Sequence, residues 1–228
     1  MLQLVIGNKN YSSWSMRPWV LMRHFGIAFD EIKLRFDSFA PDSAFHRALA
    51  RYTPVGKVPV LLIDGHAVWD TLAIAETLAD LHPHLAIWPR EWRSRARARS
   101  LAAEMHAGFA ALRSHCPMNI EASLPEIGAR VLAAEAAVRK DLARIDAVWS
   151  EHVAASGGPF LFGEFGAVDA YFAPVVARAR CYALPLSAAA QAYADRVWAA
   201  PGVAAWVADA LAERDFRDFE EPYRSSPP

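Results

Sequence analysis

Thirty-five of the chain's 45 alanines fall after residue 90 of 228. Alanine is the strongest helix former, since its side chain loses no rotamer freedom in a helix and buries no polar atom there. This distribution splits the chain into a first part of β-branched runs and short helical patterns and a second part that reads as all helix. At about 150 residues per domain the length accommodates two small domains. We expect one domain at residues 1–83 and another at 90–228. A short linker is expected near 85–89 and a disordered Pro-rich tail at 225–228.

The first part orders as βαβαββα. Strands are expected at residues 2–6, 29–34, 58–63 and 66–69, the last two joined by Asp64-Gly65, a strong hairpin signal. Helices are expected at 15–25, 42–51 and 71–81, the last ended by His82-Pro83-His84. This order implies a parallel first crossover, an antiparallel closing hairpin and a sheet with helices on its faces. In the second part Val138, Leu142, Ile145 and Trp149 mark one helix face, as do Phe172, Val175, Val176 and Ala179.

Composition excludes several classes. A hydrophobic fraction of 54% supports a real core, and a net charge of −1 gives no overall pull toward nucleic acid or an anionic membrane. No apolar run reaches the length of a membrane span. The N-terminus has no basic flank and reads as a strand rather than a signal peptide, so a cytoplasmic setting is expected. Cys116 and Cys181 are too few for a disulfide scaffold or a four-cysteine zinc site. His82, His84, His106, His115 and Cys116 lack metal-ligand spacing, and no metal is expected. The arginines between 90 and 99 are interrupted by Glu91 and Trp92, which suits a solvated or dimer-facing helix.

Three segments of the first part carry chemistry. In Tyr11-Ser12-Ser13-Trp14-Ser15-Met16-Arg17-Pro18, the proline is tolerated in a first helical turn but not deep in a helix, which places the helix start close to Ser15. Ser12 and Ser13 then lie before a helix N-terminus, where free N–H groups and the positive dipole end favour an anion. The same serines equally suit helix capping. In Thr53-Pro54-Val55-Gly56-Lys57-Val58-Pro59-Val60, Pro59 cannot donate to a central ladder. It reads either as an edge-strand proline or as a cis Val58–Pro59 bond that frees the Val58 backbone to pair with an extended peptide. In Asp70-Thr71-Leu72-Ala73-Ile74, Asp70 or Thr71 caps the third helix. As a ligand site, Thr71 and the helix N–H groups would hold a carboxylate and Asp70 an ammonium, as an amino acid or γ-glutamyl group requires.

Taken in order, these segments resemble the thioredoxin-like domain of the cytosolic glutathione transferases. The cluster Ser12-Ser13-Trp14-Ser15-Met16-Arg17 is most similar to the Ser-Ser-Cys-Ser-x-Arg motif of the serine-using zeta class, with theta-like spacing as the neighbour. The helical remainder resembles that family's all-α second domain. Residues 162–169 resemble its buried capping motif, with Gly166 in place of the usual Ser or Thr, so Asp169 is expected to carry the turn.

The resemblance implies glutathione as co-substrate, no metal, a homodimer, and thiolate attack on a small electrophile bound between the domains. It implies Ser12 as the catalytic hydroxyl, with Ser13 as its rival and Ser15 capping the helix and shaping the pocket. Val58 would pair with the cysteinyl backbone, Lys57 with a ligand carboxylate, and Asp70 and Thr71 with the γ-glutamyl group. Met105, His106 and Phe109 would lie on the helix facing the electrophile. Trp14 replaces the zeta-class cysteine, which weighs against zeta-type isomerase activity. The alternatives are such an isomerase or a non-catalytic binding or regulatory module of the same fold. No cysteine stands at the first helix, so thiol–disulfide chemistry is not expected.

Overall fold

The structure is a computed structural model and describes residues 1–226. The tail expected at 225–228 falls partly on residues 227–228, outside the described residues. Strands β1 (Leu2–Ile6), β2 (Asp30–Lys33), β3 (Val60–Ile63) and β4 (His66–Val68) form one sheet in the order β2-β1-β3-β4. β2 runs parallel to β1, with Gln3 opposite Asp30, whereas β3 is antiparallel to both β1 and β4. Helices α1 (Ser13–His24), α2 (Ala44–Leu49) and α3 (Thr71–Leu81) complete the βαβαββα order, which is the thioredoxin-like arrangement.

Alternation along the central strands assigns the helices to faces. Leu4, Ile6 and Leu61 join the large core with Met16 and Val20 of α1 and Ile74 and Leu78 of α3. Val5, Val60 and Leu62 point the other way, onto Phe36, Phe45 and Leu49 around α2. Several expected boundaries shift by one or two residues, α2 to Ala44–Leu49 among them, and two of the shifts have a plain cause. β3 begins at Val60, because Pro59 has no N–H for the ladder. α1 begins at Ser13, so Pro18 lies five residues inside it, where it leaves the Trp14 carbonyl without its helical donor.

The remaining elements are α4 (Trp92–Ala107), α5 (Ala110–His115), α6 (Pro125–Ala134), α7 (Ala136–Ser156), α8 (Ala167–Cys181), α9 (Ala188–Ala199) and α10 (Pro201–Glu213). α8 is buried along nearly its whole length and packs on α1, α4 and α9. α10 also packs on α1, so closely that a Cβ on Gly202 would stand 2.5 Å from the Val20 carbonyl oxygen. Asp169 does carry the turn before α8. Its carboxylate accepts from Gly166 N–H (2.9 Å), Leu161 N–H (3.3 Å) and Tyr193 Oη (2.9 Å). Complete burial pushes its carboxyl up to about 6.

After α10, residues 214–226 run back over the first domain as a strap containing a 3-10 turn at Asp218–Glu220. Glu221 is buried there between Tyr11, Asn119 and Arg224. No helix among the described residues is long and apolar enough to cross a membrane.

Candidate functional site

A cavity of about 700 Å³ opens where the start of α1 meets the helical part, within the size range of small-molecule sites. Its walls come from the three sequence segments, from α4, α5 and α8, and from the strap. Ser12, Ser13, Lys57, Val58, Asp70 and Thr71 all line it. Ser15 does not. It lies fully buried inside α1, where its hydroxyl oxygen accepts from Ser12 Oγ (2.7 Å) and Gly7 N–H (3.3 Å). The expectation that Ser15 caps the helix and shapes the pocket is therefore corrected: the helix starts two residues earlier and turns that side chain into the core.

Ser12 occupies the N-cap position by backbone, its carbonyl accepting from Met16 N–H at 3.1 Å, while its side chain makes no capping bond. Ser13 N–H is taken by the Tyr11 carbonyl (2.8 Å), while the Trp14 and Ser15 N–H groups of the first turn have no backbone partner among the described residues. Ser13 Oγ accepts from Arg178 Nη2 at 3.3 Å. The Val58–Pro59 bond is cis, and Val58 precedes β3, so its backbone lies beside the cavity rather than in the ladder. Lys57 is exposed at the rim. Asp70 caps α3 by accepting from Leu72 N–H (3.1 Å) through Oδ1. Its other oxygen lies 3.0 Å from His106 Nε2, and Thr71 Oγ1 lies 3.4 Å from His106 Nδ1.

His106 therefore sits against the Asp70 carboxylate without being placed there by any motif. Burial lowers its imidazole first, with Arg17 and Arg113 adding to the effect and Asp70 opposing it. Trp14 packs edge-on to His106 and lies under the Arg17 guanidinium, 4.0 Å from the ring centroid. Arg17 is almost wholly buried, which lowers it to about 9. Met105 and Phe109 face the core and do not line the cavity.

Sequence reasoning missed Arg113, Arg178 and Glu220. For Arg178 a signal existed: it falls among Val175, Val176 and Ala179, on the apolar face of α8, where a charged residue is out of place. Arg178 is completely buried, which lowers it to about 10 and leaves it charged at neutral pH. Glu220 reaches the cavity only because the strap folds back, and burial beside Glu221 pushes its carboxyl up to about 7. Tyr11 also lines the cavity, but its hydroxyl donates to Glu221 Oε1 (2.8 Å) and accepts from Arg217 N–H (3.1 Å). Both cysteines are buried away from α1, with Cys116 pushed up to about 11 and Cys181 to about 12 by desolvation. No cluster with metal-ligand geometry occurs among the described residues.

The family described as glutathione S-transferase, N-terminal domain, matches residues 11–81. A probable maleylacetoacetate isomerase of Caenorhabditis elegans is 33% identical over 61 residues, which cover 27% of this chain and 28% of that protein. Among solved structures, a glutathione transferase homologue from Burkholderia with bound glutathione superposes with a TM-score of 0.71 at 20% identity, covering 92% of this chain and 98% of the other. A diazinon-metabolizing glutathione S-transferase of the silkworm Bombyx mori also reaches 0.71, at 14% identity, over 93% and 98% of the two chains. Another homologue, from Sulfitobacter with bound glutathione, gives 0.68 at 19% identity, over 92% and 99%. Residues 11–81 thus match the glutathione S-transferase N-terminal domain family, and the chain as a whole shares the fold of these solved structures.

Proposed function

We propose that the chain is a glutathione transferase that holds the glutathione thiolate at the N-terminus of α1 for attack on a small electrophile. The observation that carries this reading is the convergence of three segments on one cavity: the free start of α1 with Ser12 and Ser13, the Val58 backbone, and Asp70 with Thr71. These offer, in order, donors for a thiolate, an extended backbone to pair with a cysteinyl unit, and a carboxylate and hydroxyl for a γ-glutamyl group. Lys57 at the rim suits the remaining carboxylate.

A free thiol of pKa near 8.5 is only a few per cent ionised at neutral pH. Helix N–H groups and a serine hydroxyl stabilise the thiolate, and a shift of about two units corresponds to roughly 2.7 kcal/mol. The thiol proton leaves to water. The sulfur lone pair then forms the new S–C bond, and the leaving group departs with its bonding pair; in an addition, the resulting carbanion takes a proton from water. Ser12 and Ser13 are the two hydroxyls for the thiolate, and the electrophile lies on the side of Arg113, Met118 and Glu220. A homodimer is part of this proposal. Isomerisation is the less favoured chemistry, because Trp14 fills the position of the motif's cysteine.

Calorimetry with glutathione, together with the thiolate absorbance of the complex near neutral pH, tests the reading. We expect binding and an ionised thiol. Absence of binding at millimolar glutathione would favour a non-catalytic module. If Ser12→Ala and Ser13→Ala both leave thiolate and turnover unchanged, the hydroxyl mechanism fails. Light scattering of the purified protein tests the dimer.

A further inference from the structure

Three hydroxyls line the cavity at the start of α1, and their hydrogen bonds sort them. The Tyr11 proton is committed to Glu221. The Ser12 hydroxyl donates inward, to the fully buried Ser15. Ser13 differs: its oxygen accepts, from the Arg178 guanidinium, and its own proton stays free to donate into the cavity. We propose that Ser13 supplies the hydroxyl that holds the glutathione thiolate, and that Arg178, reaching across from α8, is the positioning residue that prepares it. This rests on the transferase reading above.

Two features of Arg178 support the assignment. Its other donors go to backbone carbonyls, Nε to Cys116 O (2.9 Å) and Nη1 to Pro174 O (3.2 Å), which fixes the guanidinium plane and aims Nη2 at Ser13. Among the described residues its charge has no carboxylate partner within ion-pair distance, and Arg113 on the same wall has none either. An unneutralised cation in a low-dielectric surrounding acts strongly on its neighbours. A hydroxyl that accepts from a cation is also a better donor, because hydrogen bonds in a chain polarise one another. Ser13 thus gains both a fixed rotamer and a stronger proton. Ser12, with its proton turned toward Ser15, braces the loop.

A merely structural Arg178, anchoring the Cys116 carbonyl, would alter stability but not the ionisation of the bound thiol. The test is therefore spectrophotometric titration of the thiolate in the glutathione-saturated protein, for wild type, Ser12→Ala, Ser13→Ala, Ser13→Thr, Arg178→Gln and the Ser13→Ala/Arg178→Gln pair. We expect Ser13→Ala to raise the midpoint by about one unit, a roughly tenfold loss of thiolate below it. Ser12→Ala should shift it much less, and Ser13→Thr should restore it. Arg178→Gln should move it in the same direction as Ser13→Ala, and the pair should show no more than the serine change alone. If Arg178→Gln does not fold, Arg178→Lys, which keeps the charge but not the fork, is used in its place. A large shift from Ser12→Ala with none from Ser13→Ala would overturn the assignment to Ser13. Additive shifts in the pair would overturn the role of Arg178. A wild type that does not bind glutathione overturns the transferase reading itself, and this inference with it.

Discussion

His106 Nε2, on α4, lies 3.0 Å from Asp70 Oδ2 at the start of α3, so a residue of the helical part touches the carboxylate that the sequence assigns to a ligand ammonium. Asp70 has two separable duties, capping α3 through Oδ1 and presenting charge through Oδ2. Asn caps about as well as Asp. Asp70→Asn should therefore leave stability nearly unchanged while raising the KM for glutathione about tenfold, the size of a lost charge-assisted hydrogen bond. Asp70→Ala should add a stability loss of about 1 kcal/mol from the missing cap. Steady-state kinetics and denaturant unfolding separate the two, and an unchanged KM in Asp70→Asn would remove the carboxylate from the binding site.

Two half-buried imidazoles give the fold an acid sensitivity with a definite sign. Burial lowers both His24, stacked on Phe165, and His106 below the ordinary value near 6.5. Above that value neither folded nor unfolded chain holds the proton, and the imidazoles contribute nothing. As pH falls through it, the unfolded chain takes protons that the folded one resists, so stability is lost. The Asp169 carboxyl, raised to about 6, works in the opposite direction between its unfolded value and 6. Thermal melts of wild type against His24→Gln/His106→Asn should show the smaller acid loss in the variant. Parallel curves would contradict the sign.

Asp169 holds two backbone N–H groups and the Tyr193 hydroxyl in a buried position. Asp169→Ala leaves all three without a partner, at about 1–3 kcal/mol for each unsatisfied group. Tyr193→Phe removes a single donor and should cost about 1 kcal/mol. Denaturant midpoints should rank the two in that order.

Gly202 brings α10 against the Val20 carbonyl, with 2.5 Å to spare for a Cβ that needs more. Gly202→Ala must push α10 away from α1, and we expect a loss of about 1–3 kcal/mol, as for other overpacked contacts. An exposed-site control, Ala205→Gly, should cost about 1 kcal/mol through helix propensity alone. Equal losses would show that the contact is looser than its geometry.

Neither thiol stands at the start of α1, and both are raised by burial. A Cys116→Ala/Cys181→Ala protein should retain glutathione conjugation within about twofold, since a buried, un-ionised thiol is a poor nucleophile. Loss of turnover in a protein that still folds would reopen thiol chemistry.

The order of elements in the first part was legible because its signals are local: Asp64-Gly65 at the hairpin, Asp70 before α3, alternation in β1 and β3. The three site segments were legible for the same reason, each being a short run whose residues act together. Ser15 was misplaced because a proline sets only a bias on where a helix begins, and the turn before it was free to extend. Arg178, Glu220 and the His106 contact are of another kind. They depend on which distant segments meet, and pairings across some 35 to 208 residues leave no local period to read. Arg178 alone left a trace, as a charge on an apolar helix face.

The Ser13–Arg178 bond joins groups from opposite sides of the seam, and that limits how such a molecule can be recombined. A hybrid carrying this first domain on a relative's helical part would keep both serines and the cis Val58–Pro59 turn, while the groups facing them in place of Arg178, His106 and Glu220 would be those of the relative. The cavity chemistry is thus a property of the matched pair. In domain shuffling among relatives, the helical part would carry reactivity as well as shape.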